Sequence, residues 1–457
     1  MRKIRKTKII ATIGPATSSY TSIYKLIKSG VDIFRLNFSH GDHAFFLNVI
    51  LNIKKAREKL KRPVAIMQDL QGPKIRIGNL PHEFDVKRGD EIIIKNTKEN
   101  LKDREIYIDI NGLYKYIKKG QKILINDGIV ELKVKEIKHK DIICVVINGG
   151  EIKSRKGVNL PNVKLPIPAL TKKDMKDLKF GLKMGVDVIC LSFVRDAYDL
   201  IKLKRYINSP YPLIIAKIEK PEALKQIDKI LNFCDGIMVA RGDLAVEAGF
   251  SKIPYAQKTL ITKANEKGKI VIVATQMLES MITNPFPQRA EITDIYNAVI
   301  DGADILMLSA ETSIGKFPFK TINVMNKIIL TAEKEKKKNC HIMTPIEMAN
   351  GLNNVMSYCA VFSSCKLQNS IISVKTKNIE DVSFISDYRP DEYVLALTDD
   401  KILYNKLAMI NSVYPVLNGK DNIFKEVKNL FPDKKNIVYM DFYNKNGPTL
   451  VFHQIKK

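Results

Sequence analysis

Short apolar runs recur along the chain, separated by amphipathic stretches of helical period. The runs span 8–14, 32–38, 64–70, 186–193, 213–219, 236–241, 270–275 and 304–309, with helical patterns between most of them, as at 22–29, 45–59 and 197–206. Each run is continuous in its hydrophobicity rather than alternating, as expected of parallel strands buried on both faces. Eight such strand–helix units predict an α/β protein built on a (β/α)8 TIM barrel. The pattern breaks between 74 and 166. Hairpin-like strands stand at 91–95, 121–125, 129–134 and 141–147, with Asn126-Asp127-Gly128 as a turn signal. This segment reads as an all-β domain inserted after the third strand, at the end of the barrel where active sites form, and placed to act as a lid.

After Ser309 a basic helical stretch runs to about Cys340, and a new α/β pattern begins. It predicts helices at 346–363, 381–386 and 402–409 and strands at 370–374, 393–397, 413–417 and 436–441. The expected division is a barrel in two parts (1–73 and 167–336), the lid (74–166) and a C-terminal α/β domain (337–457), the last suited to regulation or oligomerisation. There is no GxGxxG and no GxxxxGK[ST], so neither a dinucleotide fold nor a P-loop is supported.

Composition narrows the class. The 457 residues are 45% hydrophobic, enough for several cores. Six cysteines form no CxxC, and Cys190 lies in an apolar run, so reduced, mostly buried thiols in a cytoplasmic protein are expected. The basic N-terminus lacks a signal-peptide pattern, and no run approaches the length of a membrane span, so no membrane partner is expected. The net charge of +26 is spread over lysine-rich helices and turns such as 334–338, without interleaved aromatics. That distribution argues against a nucleic-acid partner, while favouring phosphorylated small molecules.

In a barrel, chemistry sits at the C-terminal ends of the strands. Those ends carry Arg35, Asn37, Ser39 and His40 (strand two), Asp69 (three), Lys217 and Glu219 (five), Arg241 and Asp243 (six), Thr275 (seven), and Ser309 with Glu311 (eight). Glu219 and Asp243 are hard oxygen ligands suited to Mg2+, or else ion-pair partners of Lys217 or Arg241. Lys217, Arg35 and Arg76 are cations placed for phosphoryl transfer, where charge spreads over the equatorial oxygens. Gly242 lets backbone N–H groups approach a substrate carboxylate. Thr275 offers a hydroxyl for relaying a proton through water.

These residues lie in stretches that resemble the pyruvate kinase family: Ala11–Pro15, Arg35–Gly41, Asp69–Arg76, Lys156–Leu160, Ala216–Glu219, Ile237–Glu247, Ala274–Met281 and Met307–Thr312. The resemblance is strong from 7 to about 335 and weaker beyond. It implies transfer of phosphoryl from phosphoenolpyruvate to ADP. Glu219 and Asp243 would hold Mg2+ (or Mn2+), Arg35 would bind the phosphoryl group, and Lys217 would stabilise the phosphoryl and the enolate. Ala240, Arg241, Gly242, Asp243 and Thr275 would complete the substrate site. His40, Asn37, Arg76, Lys156 and Asp127 would serve the nucleotide, and Thr275 and Ser309 would line the face where the enolate is protonated. A homotetramer is also implied. The competing readings are a Mg2+-dependent barrel lyase or aldolase acting through an enolate, and a non-catalytic binding protein.

The chain departs from the family pattern in several places. Potassium-dependent members read Asp-Thr-Lys-Gly-Pro-Glu-Ile-Arg where this chain reads Asp69-Leu70-Gln71-Gly72-Pro73-Lys74-Ile75-Arg76. Lys74 puts a tethered ammonium where those members have a carboxylate, and Leu70, Gln71 and Ile77 resemble the potassium-independent branch. Catalysis without K+ is expected, with Asn37, Ser39, Asp69 and Leu70 left as a vestigial monovalent site. Lys220 follows Glu219 where asparagine is usual. In the C-terminal domain, Lys375-Thr376-Lys377-Asn378 lacks the serine-glycine pair of sugar-phosphate-regulated members, so that activation is not expected. Lys375, Lys377 and Arg389 are left either as a different effector site or as solvated surface.

Overall fold

The computed structural model describes residues 4–207, 212–336, 351–417, 423–445 and 447–455. The expected helix start at 346 and the run toward Cys340 lie outside the described residues. Eight parallel strands close into a barrel. Three of them, β1 (Lys8–Thr12), β2 (Ile33–Asn37) and β3 (Ala65–Asp69), precede the insertion. The insertion contains β4 (Phe84–Val86), β5 (Glu91–Lys95), β6 (Glu105–Tyr107), β7 (Lys122–Ile125), β8 (Val130–Lys138), β9 (Asp141–Asn148), β10 (Gly150–Ile152) and β11 (Val158–Asn159). The barrel resumes with β12 (Val188–Leu191), β13 (Leu213–Ile218), β14 (Gly236–Ala240), β15 (Ile270–Ala274) and β16 (Ile305–Leu308). Its order around the ring is β1-β16-β15-β14-β13-β12-β3-β2.

Alternation along each strand divides two cores. On β15, Ile270, Ile272 and Ala274 join the barrel interior with Ile10, Ile33, Met67, Val188, Cys190, Ile215 and Met238. Val271 and Val273 face outward and pack under the helices with Ile9, Phe34 and Ile66. Both faces are therefore buried, which explains why the strands read as unbroken apolar runs. Among the described residues, Cys144, Cys190, Cys234 and Cys359 are free thiols, and burial pushes Cys190 well above the usual thiol range. No helix among the described residues is long and apolar enough to cross a membrane.

The insertion folds as a six-stranded sheet, β11-β7-β8-β9-β5-β6, with a β10-β4 pair beside it. Its core includes Ile92, Ile123, Val130, Leu132 and Val146. Asn126 and Asp127 both adopt positive φ (54° and 55°), the conformation a tight hairpin turn requires. The entry and exit of the insertion are stitched together. Arg76 bridges Gly157, Ile77 N–H bonds the Lys156 carbonyl, and Gly72 N–H donates to Asp174 beyond the exit.

The C-terminal sheet runs β19-β18-β17-β20-β21, from β17 (Ser370–Lys375), β18 (Val394–Thr398), β19 (Val413–Leu417), β20 (Asn436–Asp441) and β21 (Thr449–Gln454). The antiparallel β21 was not expected from the sequence. This domain meets the N-terminal end of the barrel: Lys8 Nζ, at the start of β1, donates to the Val413 carbonyl (2.6 Å). The opposite end stays open to the insertion.

Candidate active site

The ends of β2, β3, β12 and β13 bring a buried ionic array together. Asp69 Oδ2 accepts from Arg35 Nε (2.8 Å) and pairs with Arg35 Nη2 (2.6 Å). Arg35 Nη1 also donates to Thr12 Oγ1 (3.1 Å). Lys217 Nζ sits 3.3 Å from Asp69 Oδ1 and 3.0 Å from Glu219 Oε1, and donates to Ser192 Oγ at 2.8 Å. Glu219 Oε2 accepts the Phe193 N–H at 2.7 Å. Asp69 and Glu219 side chains are each 1% exposed and Lys217 is 12% exposed. Charges this dry are tolerated only because each has partners.

The electrostatics follow from that packing. Burial pushes Lys217 toward neutrality, but Asp69 and Glu219 outweigh it and hold the ammonium protonated above its usual range. Burial also pushes Asp69 up, yet Lys217 and Arg35 prevail and keep it ionised. Glu219 is raised, by burial first and by neighbouring Asp243 as well, with Lys217 opposing. Asp243 is half-buried, lines the cleft, and accepts no hydrogen bond among the described residues.

Helix Arg241–Ala248 begins where β14 ends, with Ala240 at its N-cap and no capping side chain. Its first N–H groups therefore face the barrel mouth, a natural anion site. The Gly242 N–H donates to Thr275 Oγ1 (2.9 Å), and that hydroxyl donates to the Ala274 carbonyl (2.6 Å). Thr275 has φ 71°, rare for a β-branched residue and a mark of backbone strain of the kind found at functional sites. Ser309 stands at the N-cap position of a short helix without a side-chain capping bond, and its N–H donates to Glu311 Oε2 (2.6 Å). Burial raises Glu311.

One expected side chain is turned elsewhere. The Arg241 guanidinium is held by Asp294 (2.7 Å to each oxygen), the Thr275 carbonyl (2.6 Å) and Gln257 (3.3 Å). It clamps the loop after β15, so only the main chain of Arg241 is left for a substrate. Sequence spacing places a residue at a strand end but does not choose its rotamer.

On the insertion side, burial and the cations Arg76, Lys74 and Arg35 lower the pKa of His40, so these four groups share one neighbourhood. Arg76 Nη1 donates to the Arg155 carbonyl (2.9 Å). Lys156 is half-buried at the insertion's exit. Asp127 is exposed at the tip of a turn whose Gly128 approaches Val246 of helix Arg241–Ala248. Among the residues expected to form a vestigial monovalent site, Asn37 Oδ1 accepts the Ser39 N–H (3.2 Å) and the Leu70 carbonyl accepts Ser192 Oγ–H (2.6 Å). The insertion and barrel enclose a cleft of about 710 Å3 lined by Asp243, Glu247, Lys220, Phe193, Asn159 and Lys74, among others.

Strand four supplied no candidate in the sequence, yet its end provides Ser192 and the Phe193 N–H. The rule that chemistry lies at strand ends was the available signal. The three C-terminal cations do not form one cluster: Lys375 and Lys377 line a small pocket, where Lys375 pairs with Asp441 (3.1 Å) and Lys377 lies over the Tyr443 ring, whereas Arg389 turns to Asp304 and Asn265 of the barrel. Arg389 is thus an inter-domain ion pair rather than an effector ligand or solvated surface.

Residues 4–322 match the family model described as pyruvate kinase, barrel domain. The pyruvate kinase of Thermotoga maritima is 41% identical over 421 residues, covering 91% of this chain and 90% of that protein. That of Thermococcus litoralis is 38% identical over 418 residues, covering 90% and 88%. A crystal structure of a pyruvate kinase from Cryptosporidium parvum superposes with a TM-score of 0.93 at 33% identity, covering 99% of this chain and 96% of that one. An enolate-forming lyase would not account for matches that span the barrel, the insertion and the C-terminal domain together. The chain belongs to the pyruvate kinase family.

Proposed function

We propose that the enzyme moves the phosphoryl group of phosphoenolpyruvate to ADP through the array centred on Lys217, with Mg2+ or Mn2+ at Glu219 and Asp243 and without a requirement for K+. The P–O bond to the enol oxygen breaks, a bond to the terminal oxygen of ADP forms, and the enolate takes a proton at carbon to become pyruvate. The observation that carries the reading is the buried Lys217 ammonium, held between two carboxylates beside Arg35.

The donor set fits a hard divalent cation. Burial first and then Asp243 raise the cost of ionising Glu219, and the Asp243 carboxylate accepts no hydrogen bond among the described residues. Among those residues no cluster of three His, Cys, Asp or Glu forms a metal site, which suits an ion that keeps water and substrate oxygens. When bound, the metal supplies positive charge to the substrate's oxygens. Arg35 and Lys217 neutralise the phosphoryl oxygens, and Lys217 steadies the enolate. The N–H groups at the start of helix Arg241–Ala248 hold the substrate carboxylate. Thr275 and Ser309 line the face from which water delivers the proton.

In this reading His40, Asn37, Arg76, Lys156 and Asp127 bind the nucleotide, with residues 74–166 as the lid. K+ is dispensable because Lys74 brings its own charge. The internal hydrogen bonds of Asn37 and Leu70 support the same view. The enzyme acts in the cytoplasm as a homotetramer. The test is pyruvate formation from phosphoenolpyruvate, ADP and Mg2+, with and without K+ at matched ionic strength. Turnover in both supports the reading, turnover only with K+ removes the role of Lys74, and turnover in neither removes the mechanism.

A further inference from the structure

The end of β12 touches both functional side chains of β13. Lys217 and Glu219 are two residues apart on an extended segment, so they project to the same side. Ser192 Oγ meets Lys217 Nζ at 2.8 Å, and the next residue's N–H meets Glu219 Oε2 at 2.7 Å. Phe193 delivers that N–H from φ 55°, a conformation that costs a non-glycine residue energy.

The direction of the hydroxyl follows from counting donors. An ammonium only donates, so Ser192 must accept from Lys217, and its single proton must go elsewhere. The Leu70 carbonyl takes it at 2.6 Å, a much shorter contact than the second acceptor, Asp69 Oδ1, at 3.3 Å. The Leu70 bond thereby orients the hydroxyl, with a lone pair aimed at Lys217. The ammonium has three N–H bonds and three protein acceptors: Asp69, Glu219 and Ser192. Two are anions that draw it inward, and Ser192 is the single neutral contact. A serine that only satisfied Leu70 would need no contact with the lysine. Ser192 is 2% exposed, so water cannot replace it.

We propose that Ser192 is a positioning residue for Lys217, its hydroxyl locked by the Leu70 carbonyl so that it fixes where the ammonium stands. The proposal rests on the role given to Lys217 above. The test compares Ser192→Ala, Lys217→Ala and the double variant with the parent, as full-length enzymes. Thermal melting is recorded alongside kcat and the KM for each substrate. Ser192→Ala should melt close to the parent, lose about 10- to 100-fold in kcat, as expected when a catalytic group shifts by a fraction of an ångström to an ångström, and keep its KM for ADP. In the Lys217→Ala background the same change should cost nothing further, because the residue it acts through is gone. An equal loss in both backgrounds, or full kcat in the single variant, would overturn the proposal. Full activity of Lys217→Ala would instead overturn the reading of Lys217. If Ser192→Ala does not fold, Ser192→Cys serves, since it keeps the shape but weakens both hydrogen bonds. A folded Ser192→Cys with lowered kcat supports the proposal, and one with parental kcat overturns it.

Discussion

The insertion, the proposed lid, is fastened to the helix that carries Asp243, the proposed metal carboxylate, and the fastening can be weakened by one substitution. Glu247 lies one turn beyond Asp243 on helix Arg241–Ala248. Its Oε1 accepts from Lys220 Nζ (2.6 Å) and from Asn159 Nδ2 of β11 in the lid (2.8 Å). The Glu247 side chain is 1% exposed and Lys220 is 20% exposed. Lys220→Met keeps the aliphatic stem but leaves the carboxylate with the Asn159 amide alone. Removing one partner of a fully buried pair costs about 3–5 kcal/mol. The remaining amide and the partial exposure of Lys220 bring the expected cost to about 2 kcal/mol, by the same reasoning. That cost falls on the docked lid, because a lifted lid lets water reach Glu247. The docked-to-lifted ratio should drop roughly 30-fold. Amide hydrogen exchange reads this directly: β7 and β11 should exchange faster while β13 to β15 serve as an unchanged internal reference. Unchanged lid exchange would refute the reasoning, as would acceleration spread evenly over lid and barrel.

Three further outcomes are expected. Glu219→Gln and Asp243→Asn should each abolish saturable Mn2+ binding, read by electron paramagnetic resonance without substrates; retained binding in both would place the metal elsewhere. Lys74→Glu should make turnover depend on K+ while the parent remains indifferent, and indifference in both would deny Lys74 its role. Asp387, packed on Gly268 between domains, is raised to about 7 from 3.8 by burial, with Asp304 adding and Arg389 opposing. A carboxyl raised on folding holds its proton in the folded state between those values while the unfolded chain loses it. Its contribution is therefore present below about pH 4 and fades as pH rises to 7, by at most ~4 kcal/mol and less for a partly solvated group. Asp387→Asn should thus raise the melting temperature at pH 8 and leave it unchanged at pH 4; equal shifts at both would exclude titration as the cause.

The barrel was legible because parallel strands covered on both faces must be apolar throughout, and each of the eight runs contains its observed strand. The principal lid strands were visible as alternating segments, whereas β4, β6, β10 and β11 are two or three residues long and carry too little period to read. β21 was missed because it is an edge strand with Val451 and Phe452 exposed, so its burial pattern does not alternate cleanly. The site was legible as positions rather than as contacts. Arg35, Lys217 and Glu219 stand at strand ends and meet around Asp69 there, and Thr275, at another strand end, meets Gly242. Arg241 stands at one too, but its long side chain had the half-buried carboxylate of Asp294 within reach on the far side. Ser192 was illegible for the opposite reason: a lone serine has many uses, and only the approach of Lys217 and Leu70 from neighbouring strands gives it one.

Charge counting links the array to the order in which ligands are welcome. Asp69, Glu219 and Asp243 outnumber Arg35 and Lys217 by one, so this array by itself is slightly negative. On its own it would have little attraction for a phosphorylated substrate. A divalent cation at the proposed site on Glu219 and Asp243 would reverse the sign and lower the cost of keeping Glu219 ionised. The hinge side is built the other way. Lys74 and Arg76 stand near His40, whose pKa burial first and then these cations lower, disfavouring an added charge on its imidazole. Positive charge is thus permanent where the nucleotide phosphates are proposed to lie and conditional where the chemistry is proposed to occur. Asp69 stands between the two regimes. Its oxygens are shared between Arg35 on one side and Lys217 with Ser192 on the other. It therefore keeps both cations in place whether or not the metal is bound.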